Sequence, residues 1–202
     1  MTEKFDKSYF FIKKPNILKN KSKKTQIVLL NTGYPIDDYF KKILTRHNGN
    51  YNKIPTFTID RLGQIYQHYD PLFRSQILDN INFDKHAITI ALENVGWVEF
   101  DKINNQYLDW RGLFYNQPII HKPWRQKKYW AEYTKEQFIA LTKLIDYLCI
   151  EYSINKSFIG DNVLNNKPLI FKGIINRSNF SKNHYDLSPA FDFEELSKNI
   201  NK

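Results

Sequence analysis

The chain is 202 residues long, 42% apolar and 25% charged, a length and balance suited to one generous domain with a real core. Aromatic residues at 16% exclude a wholly disordered chain, and no apolar run approaches the roughly 18 residues of a membrane span. The single cysteine, Cys149, excludes an intrachain disulfide and any multi-cysteine metal site, and the formal charge of +9 fits either docking on an acidic partner or solvated lysines that keep the chain in solution.

That charge is unevenly placed. Residues 1–24 hold eight lysines against Glu3 and Asp6, a net of +6, and residues 121–135 hold Lys122, Arg125, Lys127, Lys128 and Lys135 against Glu132, a net of +4. The remainder is nearly neutral. The pattern is a basic N-terminal arm, 1–24, and a basic loop on a neutral body, 25–202. The arm carries one aromatic cluster at 9–12, suited to docking on a neighbour or folding back on the domain. Its opening, MTEKFDKSYFFIKKPN, has neither the apolar stretch nor the cleavage site of a secretory signal, which points to a product that stays in the cytoplasm after synthesis. No RNA or DNA motif accompanies the charge, so nucleic acid is disfavoured as a partner.

The body opens with QIVLL from Gln26, a buried strand stopped at Asn31-Thr32-Gly33. Ile36, Tyr39, Phe40, Ile43 and Leu44 then mark one apolar face of a helix ending near His47. Residues 54–60 and 64–69 read as two strands of a hairpin turning at Arg61-Leu62-Gly63, and 87–95 as a further buried strand. Residues 96–133, rich in Trp and Tyr, show no clear period and read as an irregular insertion. Thr134 with Gln137 makes a capping box, followed by an apolar stripe of Phe138, Leu141, Leu144, Ile145 and Leu148. A last strand over 168–176 and a short helix over 193–200 complete an α/β domain whose central mixed sheet is flanked by helices.

Several strings in this order, QIVLLNTG, PTFTIDRLGQIYQ, AITIALENVGW, YWAEYTKEQFIALTKLIDYLCIEYSI and DLSPAFDFEEL, resemble the zinc-dependent N-acetylmuramoyl-L-alanine amidases and the peptidoglycan-recognition proteins. The resemblance spans about Thr25 to Leu196. It implies a zinc ion held by a histidine at the end of the first strand, a second late in the chain, and an Asp or Cys ten residues on. Two imidazoles and one anion leave a fourth position for an activated water.

Carried over residue by residue, the first histidine falls on Asn31, the second on Asn176 and the anion on Asp186, the one ligand retained. The family's catalytic glutamate falls on Ala91, its tyrosine on Pro55, and the lysine before the Asp on His184. Asn offers a neutral oxygen in place of an imidazole nitrogen and suits zinc poorly, while Ala91 and Pro55 transfer no protons. Glu93 shares the strand face of Ala91 but stands about 7 Å further along, which disfavours it as a substitute. Asn31 and Asn176 also read as strand-end caps.

Trp97, Trp110, Trp124 and Trp130 fit either a sugar- or protein-binding groove or a satellite core over the sheet edge. The resemblance thus implies a catalytically inactive amidase-like protein, expected to bind no zinc. Its partners would be a peptidoglycan fragment or assembly proteins, among them those of a bacteriophage tail or baseplate. The other reading left open is an active, zinc-loaded amidase of endolysin type with displaced ligands.

Overall fold

In β1 (Gln26–Asn31) and β4 (Ala87–Leu92) every residue is buried, the signature of strands covered on both faces. The computed structural model describes residues 21–201. β1 and β4 pair in parallel from Gln26 opposite Ala87 to Asn31 opposite Leu92. Strand β10 (Gly173–Asn176) lies parallel on the other side of β1, and β2 (Phe57–Ile59) lies parallel to β4. The hairpin partner β3 (Ile65–Gln67) closes the sheet antiparallel, giving the order β10-β1-β4-β2-β3.

Period-two alternation sorts the sheet into two faces. Ile27, Leu29, Ile88, Ile90 and Ile174 meet Leu141, Leu144, Ile145 and Leu148 of helix α3 (Lys135–Glu151), with Leu196 and Ile200 of α4 (Phe193–Ile200). Val28, Leu30, Ala91 and Ile175 point the other way, against Phe83 of the short helix α2 (Ile81–His86) and the preceding Ile77 and Leu78. Helix α1 (Ile36–Thr45) buries Tyr39, Phe40 and Ile43 against Tyr51, Ile54 and Tyr69. The capping box at Thr134 is present: Thr134 Oγ1 accepts from the Gln137 N–H at 3.2 Å, and Gln137 Oε1 from the Thr134 N–H at 3.0 Å. α2 gave no pattern in the sequence because it is only six residues long.

Three expectations change. Residues 96–133 are not irregular but form a second, wholly antiparallel sheet. Its strands are β5 (Trp97–Asp101), β6 (Gln106–Asp109), β7 (Phe114–Tyr115), β8 (Ile119–Trp124) and β9 (Lys127–Ala131), in the order β7-β6-β5-β9-β8. These strands are short and mostly half-exposed, so no alternation of polarity marked them. The last strand is only Gly173–Asn176, and at its start Gly173, at φ 140°, brings its Cα against the Ser157 carbonyl where any Cβ would clash.

The body also begins before residue 25. Lys24 is 1% exposed and donates to the carbonyls of Phe73 at 2.9 Å and Lys85 at 3.0 Å. Residues 1–20 of the arm, with the aromatic cluster at 9–12, lie outside the described residues.

Candidate functional site

The parallel strands β1, β4 and β10 end together at Asn31, Leu92 and Asn176, the edge where sheets of this kind bind ligands. The segments leaving that edge carry most of the positions singled out in the sequence. Asn176 pairs with Leu29, so alternation places Asn176 and Asn31 on one face, that of α3. Ala91 pairs with Leu30 and lies on the opposite face. The sheet therefore brings Asn31 and Asn176 together but not Ala91 with them. Pro55 is buried beside Ile54, ahead of β2.

The polar groups at this edge are committed to one another. Asn31 Oδ1 accepts from the Tyr133 hydroxyl at 2.8 Å, and that oxygen accepts in turn from the Ser188 N–H at 3.3 Å. Burial holds the Tyr133 phenol well above its ordinary range. Asn176, fully buried, donates to the Asp161 carbonyl at 2.7 Å and accepts from Ser178 Oγ at 2.6 Å, the strand-end cap anticipated for it. The Asp186 carboxylate is gripped by both Nε and a terminal nitrogen of Arg177. His184 Nδ1 lies 2.7 Å from Ser181 Oγ, and burial, then Arg177, pushes its imidazole below the usual range.

Arg125 fixes the loop that presents these groups. Its guanidinium donates to the carbonyls of Ser181 at 3.3 Å, Lys182 at 3.2 Å, His184 at 2.5 Å and Ser178 at 3.4 Å. The basic hairpin of β8 and β9 thus spends part of its charge inside the molecule. Lys122 reaches the Pro189 carbonyl at 3.2 Å and Lys127 pairs with Glu99 at 2.7 Å.

Both oxygens of Glu93 are held by backbone donors. Its Oε1 accepts from the Ile36 N–H at 3.0 Å, in the first turn of α1, and its Oε2 from the Arg61 N–H at 2.9 Å. Burial raises its carboxyl above the usual range and the two backbone donors oppose that rise. The carboxylate ties α1 to the β2–β3 hairpin.

Three of the four tryptophans adjoin one another in the second sheet. Trp130 is fully buried and donates to the Lys122 carbonyl at 2.7 Å, with Trp124 against it at 5.6 Å between ring centres. Trp97 pairs across the strands with Trp130 and is covered by the Lys127 ammonium, 3.3 Å from its ring centre. Trp110, 40% exposed, donates to the Gly33 carbonyl at 2.7 Å and latches the second sheet to the turn after β1.

A cavity of about 360 Å³ opens at the same edge, bordered by Asn31, Tyr39, Lys42, Arg46, Arg177 and His184, among others. Lys42 and Arg46 have no carboxylate partner among the described residues. Lys42 lies over the rings of Tyr34 at 4.2 Å and Tyr51 at 5.7 Å, and Arg46 over Tyr51 at 5.1 Å. Burial, then Arg46 and Arg177, lowers the Lys42 ammonium to about 8. The sequence reading missed Arg177, adjacent to Asn176, and the cationic side of α1.

As arranged, the residues at Asn31, Asn176 and Asp186 do not fit zinc. The oxygens of both amides accept from protein hydroxyls, and the one anion is neutralised by a guanidinium. Among the described residues no three His, Cys, Asp or Glu side chains converge on one point.

No protein-family model and no curated protein matches the chain. Solved structures do. The N-acetylmuramoyl-L-alanine amidase LysC from Clostridium intestinale is 16% identical, with 99% of each chain covered and a TM-score of 0.58. AmiD from E. coli, in complex with anhydro-N-acetylmuramic acid-L-Ala-D-gamma-Glu-L-Lys, is 12% identical over 90% of this chain and 59% of its own, with a TM-score of 0.59. AmpDh3 from Pseudomonas aeruginosa, in complex with an anhydromuramic pentapeptide, is 14% identical over 98% of this chain and 66% of its own, at 0.56. At such identities the likeness is one of fold, and the fold is that of the N-acetylmuramoyl-L-alanine amidases.

Proposed function

We propose that this chain is a non-hydrolytic protein of amidase fold that recognises a peptidoglycan fragment. The observation that carries the reading is the Arg177 guanidinium on Asp186, which neutralises the one anion that a hydrolytic centre of this fold would use as a ligand. Muramoyl peptides are the ligands named for two proteins of like fold, AmiD and AmpDh3, and they supply the ligand class. By fold-level analogy the reading extends to a structural role in a bacteriophage tail or baseplate, with the basic arm docking on a neighbouring protein.

The test uses the purified full-length protein and insoluble peptidoglycan. The protein should cosediment with the polymer and release no free peptide above a buffer blank. Chelator-sensitive release, with one zinc per chain by elemental analysis, would overturn the proposal in favour of an active amidase with displaced ligands.

A further inference from the structure

The cavity beside the strand ends carries more positive charge and more free donors than the fold requires. Its acidic neighbours are already taken: Asp186 by Arg177, and Asp79 by Lys53 at 2.6 Å. Lys42 and Arg46, one turn apart on and just after α1, retain their charge without a carboxylate among the described residues. Two further donors, on largely buried residues, border the same space. Tyr39 is 3% exposed, and its hydroxyl has no hydrogen-bond partner among the described residues. Asn31 is 7% exposed, and with Oδ1 held by Tyr133 its Nδ2 is left as a donor without a partner among the described residues. Neither is a sealed, unsatisfied group; both border the cavity and are available as donors to a ligand there.

We propose that this cavity binds a phosphoryl group, gripped by Lys42, Arg46 and Arg177 and hydrogen-bonded by the Tyr39 hydroxyl and Asn31 Nδ2. A carboxylate offers one charge and two coplanar oxygens, which would leave one of the two free cations unanswered. A phosphate monoester, near −2 at neutral pH, matches both and presents three oxygens to the converging donors. The lowered Lys42 ammonium agrees with a cation whose counter-charge is missing, since burial and two neighbouring guanidiniums oppose it. A position that in the metal-binding reading would hold a cation thus becomes an anion site. The inference rests on the reading of this edge as binding rather than hydrolytic.

The experiment titrates the full-length protein with inorganic phosphate by isothermal calorimetry, against sodium chloride of equal ionic strength and against acetate. Saturable phosphate binding is expected in the wild type, with affinity reduced at least tenfold in Lys42→Met and in Arg46→Met. Lys143→Met, on the exposed side of α3, should bind as wild type. Arg46 is exposed, so its substitution leaves the fold intact and tests the site even if Lys42→Met unfolds. Binding no stronger than chloride, wild-type affinity in both variants, or tighter binding of acetate than of phosphate would overturn the assignment. A parallel assay of peptide release from peptidoglycan separates the two claims. Release with intact phosphate binding sinks only the non-hydrolytic reading, whereas absent binding without release sinks only this one.

Discussion

Arg177 and Asp186, nine residues apart in the chain, form a two-pronged ion pair with side chains only 15% and 11% exposed. The pair joins the turn after β10 to the loop that carries His184. Removing one partner from such a pair leaves a buried charge uncompensated, at a cost of about 3–5 kcal/mol. Arg177→Met is therefore expected to lower unfolding free energy by that amount in urea titrations. The double variant Arg177→Met with Asp186→Asn should recover most of the loss. A near-neutral Arg177→Met would show that Asp186 does not depend on this partner, reopening its role as a metal ligand.

Glu93 offers a second test of commitment. Its two oxygens satisfy the backbone N–H groups of Ile36 and Arg61 from within a buried setting. Glu93→Ala orphans both donors and removes an anion from the N-terminus of α1, so a loss of about 2–4 kcal/mol is expected. Glu93→Gln keeps one acceptor and should cost less. The ordering Ala, then Gln, then wild type in urea midpoints is the outcome that checks the assignment.

Truncation separates arm from body. Residues 1–20 should be removable with the melting temperature held within a few degrees, while association with partner proteins is lost. Removing residues 1–24 also deletes Lys24, whose buried ammonium bridges the carbonyls of Phe73 and Lys85, and should lower the melting temperature further. Equal melting temperatures for the two truncations would contradict the placement of Lys24 in the body.

Stability should rise with pH on the mildly alkaline side. Burial lowers the ammonium groups of Lys24 and Lys42 to about 8 from 10.5. Above about pH 8 the folded chain sheds these protons before the unfolded chain does, so the unfolded state binds more protons and the unfolding free energy climbs. The Cys149 thiol, pushed up to about 11 by burial, and the buried phenols of Tyr39, Tyr69 and Tyr133, raised likewise, act in the opposite direction above about pH 9. A maximum near pH 9 is expected in urea unfolding series, and Lys42→Met should flatten the rise below it. A flat or falling profile between pH 7 and 9 in the wild type would show that these ammonium groups are not held low.

The sequence by itself determined the elements whose signal is local. The unbroken apolar runs of β1 and β4 read as buried strands, and the capped stripe behind Thr134 as the helix α3. The order of these elements carried the resemblance of fold. Only the tertiary structure decided which face each side chain takes and what it is committed to. Alternation is readable along one strand, but the register between strands is not, so Ala91 could not be placed across the sheet from Asn31 until Leu30 was seen opposite it. The second sheet stayed hidden because its short, half-exposed strands are held by pairing with one another, as Trp97 with Trp130, rather than by a pattern within each. The pairing of Asp186 with Arg177 was equally out of reach: a carboxylate ten residues after a strand end reads the same whether a metal or a guanidinium answers it. Side-chain partners are chosen by proximity in three dimensions, and proximity is what folding, not spacing, supplies.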